Sequence, residues 1–203
     1  RVACGYHGVQ VDETGTAVSV PGSPGCKLEG MRAVRTFPTI ERFGAIFAYI
    51  GDDATPHPEP EPFRGPEQLE DPDFSHFLNY AEWKTDYRLV IDNVMDPMHG
   101  TFLHKQSHSM SFGETKAKFV INDTDQGFVF EKEGQRGVNF DFSEWGETGI
   151  HWLRLEIPYP KTGGPGGNFH IVGMYTPITD TMAAIFHWRC RKVEGWQRDA
   201  WRF

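Results

Sequence analysis

Cysteine is scarce in this chain of 203 residues, with three in all, at positions 4, 26 and 190. Three scattered cysteines cannot form the disulfide framework that staples small secreted scaffolds. Cys26 and Cys190 therefore read as free thiols, Cys190 buried on a strand, and the compartment as a reducing cytoplasm. Positive charge is also short: 20 lysines and arginines face 28 aspartates and glutamates, for a net charge of -8. That balance excludes the basic face that nucleic acid demands. No apolar run approaches the roughly 20 residues a membrane-spanning helix requires, and no signal peptide is visible. What is abundant is glycine (22), proline (14) and aromatic side chains at 14%. This composition suits a loop-rich β protein of one large or two small domains.

The chain divides at a stretch rich in proline and acid. Residues 1–51 read as short strands, Met31–Phe37 and Ala45–Ile50 among them, parted by turns. Residues 52–73, centred on Pro56-His57-Pro58-Glu59-Pro60-Glu61-Pro62, cannot join a central strand and read as an extended connector. Residues 74–203 read differently. Phe74–Trp83 has the character of a strand and Lys84–Lys105 of two helical stretches. Thr115–Ile121, Gly127–Glu133, His151–Ile157, Phe169–Thr176 and Met182–Arg191 are further predicted strands. Gly163-Gly164-Pro165-Gly166-Gly167 lacks the Lys-Ser/Thr ending of a phosphate-binding loop and reads as a connector. The sum is an α+β chain.

Ligand-type side chains concentrate in Asp96-Pro97-Met98-His99 and, five residues on, His104. Two neutral imidazoles and one carboxylate with open positions are what a non-heme Fe(II) site uses. Asp96 could be that carboxylate, or the group that fixes the tautomer of a ligating histidine. Positions 96 and 99 share a helix face, whereas 99 and 104 lie about 140° apart around a regular helix. Both imidazoles reach one ion only if the helix is distorted or ends between them, and Gly100 offers a break. Without a metal, Asp96 is an N-cap, Pro97 occupies the first helical turn, and both histidines are ordinary helix residues.

The chain opens Arg1-Val2-Ala3-Cys4-Gly5-Tyr6-His7-Gly8. Cys-x-x-His alone is a weak signal, half a zinc site or nothing. A Rieske [2Fe–2S] centre, however, draws one cysteine and one histidine from each of two loops. Gly8 after His7, then the polar turn Asp12-Glu13-Thr14-Gly15, fits a loop clasping a cluster between strands.

In their order and separation, Cys4-x-x-His7-Gly8 and Asp96-x-x-His99-x4-His104 resemble the Rieske non-heme iron oxygenases. The resemblance is to the catalytic alpha subunit of aromatic ring-hydroxylating oxygenases, with Gly5 standing where that family usually has proline. It implies that 1–51 is the end of a small antiparallel Rieske domain, 52–73 a linker, and 74–203 part of a catalytic domain, a curved antiparallel sheet around a long helix. It implies Cys4 and His7 as ligands of the cluster, and His99 and His104 as ligands of the mononuclear Fe(II). The third carboxylate ligand is expected beyond Phe203, and the first cluster half-motif upstream of Arg1. Asp96 would bridge His99 and His7 of the partner subunit, which calls for a homotrimer or higher oligomer, with or without a beta subunit. Asn93 would be a polar neighbour of the iron, or else a helix cap. A reductase or ferredoxin would deliver electrons. The implied substrate is an aromatic or related apolar compound, oxidised with O2 by monooxygenation, dioxygenation or oxidative demethylation.

The other candidates are weaker. His108 reads as a surface residue, and His151, His170 and His187 as hydrogen-bonded structural histidines on strands. Asp180 reads as a turn residue and Asp199 as part of a helical tail, neither as the third ligand. Val120, Phe128, Phe130, Leu153, Ile171 and Phe186 fill the core or line a pocket. Two rival classes stay open: a curved-sheet protein that binds small ligands without iron, and a zinc hydrolase using His99 and His104. The second leaves Cys4 and His7 unexplained.

Overall fold

A computed structural model of the chain describes residues 1–51, 63–106, 113–135, 142–147, 151–157 and 168–198. The chain forms two compact units, Arg1–Pro60 and Glu61–Phe203. In the first, β1 (Val2–Ala3), β2 (Gln10–Val11) and β3 (Ala17–Ser19) make a three-stranded antiparallel sheet. β4 (Thr39–Arg42) and β5 (Ala45–Ala48) form a separate hairpin, closed by Phe43 at φ 53° and Gly44 at φ 76°. Two successive positive φ angles make the tight hairpin connection that matches the twist of paired strands.

The predicted strand Met31–Phe37 does not form. Arg32 makes only an isolated bridge to Thr16, and the N–H groups of Ala33 and Val34 both donate to the Gly15 carbonyl. This close approach is possible because Gly15, at φ 79°, has no side chain; a Cβ there would stand 2.3 Å from the Val34 carbonyl oxygen. The turn before it is tied by the Asp12 carboxylate, which accepts from the N–H groups of Thr14 and Thr16 at 2.9 and 3.0 Å.

The second unit begins inside the stretch read as a connector. α1 (Glu67–Glu70) lies there, with Gln68 and Leu69 buried, and Phe63 and Pro66 are buried beside it. The main sheet has seven antiparallel strands in the order β6-β12-β11-β10-β9-β8-β7. They are β6 (Phe74–Trp83), β7 (Phe119–Thr124), β8 (Gly127–Lys132), β9 (Phe142–Glu147), β10 (His151–Ile157), β11 (Phe169–Thr179) and β12 (Met182–Lys192). β7 to β12 run as a meander, and β6 pairs with the last of them. Between β6 and β7 the chain makes α2 (Tyr87–Met95) and α3 (His99–Leu103), so the helices span the connection between the two opposite edge strands.

Alternation on the strands gives the sheet two buried faces. On one, Leu153, Leu155, Ala183 and Ile185 form a core with Val90 and Val94 of α2. On the other, Trp152, Val172, Trp188 and Cys190 are each no more than 1% exposed. Fully burying a side chain of Val, Leu or Ile size contributes about 1.5–3 kcal/mol, so the α2 face alone anchors the helix firmly. Parity separates the six pocket candidates: Phe128, Phe130, Leu153 and Ile171 share the α2 face. Val120 and Phe186 point the other way, Phe186 stacking on Trp188 at 6.3 Å.

Candidate metal centre

α2 is a helix with local start and stop signals. Asp86 caps its N-terminus, its carboxylate accepting from the Arg88 N–H at 2.9 Å and pairing with the Arg88 guanidinium at 2.6 Å. The Arg88 hydrogen bonds hold the Asp86 carboxyl at a pKa of about 2. Val90 and Val94, four apart, turn into the core. The helix stops at Met95 because Pro97 has no N–H and drives Asp96 out of the helical region, to φ -85° and ψ 105°. The last turn still needs hydrogen-bond partners for its carbonyls. Ser143 Oγ on β9 supplies one, donating to the Val94 carbonyl at 2.9 Å in a fully buried contact.

After this break the chain turns directly into α3, which carries the candidate ligands at its two ends. The break therefore lies at Asp96–Met98, upstream of His99, and not at Gly100, which is buried inside α3. α3 ends at Leu103, and His104 is its C-cap, at φ -103° and ψ 31°. Its N–H still donates to the Gly100 carbonyl at 3.1 Å, closing the last turn of α3. The two imidazoles meet with ring centroids 5.2 Å apart and planes at 64°.

The contact between positions 96 and 99 runs through the main chain. His99 Nδ1 lies 2.6 Å from the Asp96 carbonyl oxygen. A carbonyl only accepts, so Nδ1 carries the proton and Nε2 the lone pair, the arrangement that orients metal-binding histidines. One oxygen of the Asp96 carboxylate accepts from the Met98 N–H at 2.7 Å. Asp96 is thus neither the N-cap of a continuous helix nor a carboxylate partner of His99 within this chain. His104 is exposed, and slight desolvation followed by the His99 ring lowers its pKa, favouring the neutral imidazole. Asn93 projects from the exposed face of α2, inside the helix and not at a cap. Among the described residues no third His, Cys, Asp or Glu joins the imidazole pair. Asp180 lies in the turn between β11 and β12; His108, Asp199 and the glycine-rich segment at 163–167 are outside the described residues.

In the first unit, Cys4 and His7 share one loop between β1 and β2. The Cys4 N–H donates to the Val9 carbonyl at 2.8 Å and the Gly8 N–H to the Cys4 carbonyl at 2.9 Å, with Gly8 at φ 72°. Cys4 and His7 are both exposed, and the main-chain N–H groups of Tyr6 and His7 lower the Cys4 thiol pKa. A loop whose N–H groups stabilise a thiolate suits an iron–sulfur ligand. The other described histidines lie on the sheet. His151 stacks on Trp145 at 5.0 Å, and His170 meets Phe74 edge to face at 5.3 Å. His187, read from the sequence as a hydrogen-bonded strand histidine, pairs with Tyr175, which the sequence did not single out, on the α2 face.

Paired imidazoles at the two ends of a short helix, in a unit built on a large antiparallel sheet, form a candidate rather than a demonstrated metal centre. Comparison with known proteins supplies the class. Residues 83–202 match the family described as the vanillate O-demethylase oxygenase C-terminal domain, and the chain belongs to that family, within the Rieske non-heme iron oxygenases. It is 35% identical over 107 residues to a vanillate O-demethylase oxygenase subunit from a Pseudomonas sp., covering 53% of this chain and 31% of that protein. It is 26% identical over 166 residues to the dicamba O-demethylase oxygenase component of Stenotrophomonas maltophilia, covering 76% of this chain and 48% of that one. The chain therefore spans between about a third and a half of these relatives. In fold it resembles the terminal oxygenase of carbazole 1,9a-dioxygenase from Nocardioides aromaticivorans, with a TM-score of 0.71 at 22% identity over 98% of this chain and 61% of that one. Among the described residues no helix is long and apolar enough to cross a membrane.

Proposed function

We propose that this chain carries the mononuclear iron site and half of the Rieske cluster site of a cytoplasmic aromatic oxygenase, one that hydroxylates or oxidatively demethylates its substrate. The observation that carries the reading is the His99–His104 pair, with the tautomer of His99 set by the Asp96 carbonyl. These residues fit an Fe(II) ion as two neutral nitrogen ligands, with the carboxylate ligand drawn from outside the described residues. Cys4 and His7 fit one half of a [2Fe–2S] cluster. Iron bound at His99 and His104 would supply dioxygen chemistry, and the cluster the additional electrons.

The chain's own residues have defined tasks in this reading. Pro97 ends α2 so that α3 can present both rings from its ends. The Asp96 carbonyl holds the proton on His99 Nδ1, and the Asp96 carboxylate secures the first turn of α3 through the Met98 N–H. Its second oxygen is left to meet His7 of the partner subunit in a homotrimer. On the α2 face of the sheet, Leu153 and Ile171 belong to the core against α2, and Phe128 and Phe130 beside it hold an aromatic ring and keep water from it. Demethylation of an aromatic ether is favoured by the names of the two curated relatives. A ferredoxin is the favoured electron donor, since a structural neighbour with a TM-score of 0.66 is an oxygenase–ferredoxin complex.

The test uses the full-length protein with both metal centres loaded. His99→Ala and His104→Ala should each lose mononuclear iron while keeping the visible cluster spectrum. Asp96→Asn should keep both centres but stop electron transfer between them. Unchanged iron content in either histidine variant removes that residue from the ligand set, and normal single-turnover oxidation by Asp96→Asn removes the bridge.

A further inference from the structure

Resting on that oxygenase reading, we propose that His187 recognises an oxygen acceptor on the aromatic substrate, and that Tyr175 is its positioning residue. His187 on β12 pairs with Gly173 on β11 and Asn79 on β6. By alternation it shares a face with Ala183 and Ile185, the face that packs on α2. Its ring is gripped on several sides. Tyr175 Oη lies 3.1 Å from His187 Nε2, the Tyr175 ring stands edge-on at 5.7 Å, and the Trp83 ring stands edge-on at 6.4 Å.

The grip depends on Gly173. A Cβ at that position would come within 2.1 Å of Tyr175 Oη and 3.3 Å of His187 Cδ2, so only glycine lets the phenol fold back over its own strand to reach the imidazole. Burial raises the Tyr175 pKa, so its hydroxyl keeps its proton, and burial lowers that of His187 to about 4, so its ring is neutral. A phenol and a neutral imidazole pair best with the phenol donating. Nε2 then accepts and Nδ1 carries the proton.

That outward N–H is the informative atom. Among the described residues Nδ1 has no hydrogen-bond partner, and it is not one of the fully buried unpaired atoms there, as His170 Nδ1 is. A histidine kept only for packing would have both nitrogens paired or buried. Here one nitrogen is pinned by a dedicated partner and the other is presented as a neutral donor among aromatic side chains. It complements an ether, carbonyl or carboxylate oxygen on a flat apolar ligand, and a site built to bond such an oxygen discriminates against analogues lacking it.

The test is equilibrium binding to the full-length, metal-loaded protein with three probes of similar shape: 3-methoxybenzoate, 3-ethylbenzoate and 3-methoxytoluene. His187→Leu should weaken by about tenfold only those probes that carry the recognised oxygen. Loss on both methoxy compounds identifies the ether oxygen, and loss on both benzoates the carboxylate. His187→Asn, whose amide can place an N–H near the former Nδ1, should recover affinity to within about threefold, and Tyr175→Phe should weaken the same probes. Equal weakening of all three probes by His187→Leu, no weakening of any, or no binding of any to the unaltered protein overturns the proposal. Iron content of the unaltered protein is measured alongside. Absent iron with oxygen-dependent binding intact would sink the oxygenase reading and spare this one.

Discussion

Ser143→Ala tests whether the metal motif is held in place from the sheet. The Ser143 hydroxyl, fully buried, donates at 2.9 Å to the carbonyl of Val94, the residue two before Asp96. Val94 lies in the last turn of α2, where carbonyls have no intrahelical donor, and Pro97 brings no N–H of its own. Alanine would remove one hydrogen bond and leave a buried carbonyl unsatisfied, at a cost of about 1–3 kcal/mol. For a chain of this size each kcal/mol shifts the thermal midpoint by about 2–4 °C, so a loss near the middle of that range is a drop of about 4–8 °C. Because Val94 precedes His99 by five residues, release of this turn should also lower mononuclear iron occupancy while the cluster spectrum is unchanged. The assays are thermal unfolding and metal analysis of the full-length protein, with Ser143→Thr, which keeps the hydroxyl, expected to behave much more like the parent. A Ser143→Ala protein with unchanged midpoint and full iron content would show that the β9 contact does not anchor the motif.

Three further outcomes follow from packing and burial. Gly146→Ala would place a Cβ 2.0 Å from Trp152 Cε2 inside the core; it should destabilise the protein by roughly 2 kcal/mol or more in denaturant titrations, and a neutral effect would contradict the tight packing of Trp152. His170 is held neutral, chiefly by burial, at a pKa of about 4 against an ordinary 6.5. Between those values the unfolded chain takes up a proton that the folded one refuses, so stability is complete above pH 6.5 and falls as pH drops toward 4. His170→Gln should flatten that slope in unfolding measured between pH 7.5 and 5, and an unaltered slope would exclude the residue as its source. Cys190 is 0% exposed and burial pushes its thiol to about 12, so it should react with a thiol reagent only at the rate of unfolding; labelling in the native state would refute that burial.

The elements legible in the sequence are those whose signals are local. Phe74–Trp83 and His151–Ile157 are strands with the predicted bounds, and the two helical stretches predicted within Lys84–Lys105 form as α2 and α3. β9 escaped notice because Phe142-Ser143-Glu144-Trp145-Gly146-Glu147 has a glycine and two glutamates in six positions. Its strand character comes from ladders on both sides, to β8 and β10. Met31–Phe37 erred in the other direction, a strand-like composition with no second strand to receive it. At the site, residue types and spacing pointed to two imidazoles. The use of the Asp96 carbonyl instead of its carboxylate depends on backbone angles that no spacing encodes. Gly173 and Tyr175 gave no signal either, since a glycine in a strand does not reveal which ring will occupy its space.

The double-sided filling of β12 bears on how faithfully the sheet assembles. Sliding that strand by one residue would exchange the environments of His187 and Trp188, forcing an indole into the imidazole's slot and an imidazole into the tryptophan's. Both volumes and polarities would be wrong at every rung. Mispairing is therefore penalised along the whole ladder, and the chain has little choice but to zip β12 correctly or leave it unzipped.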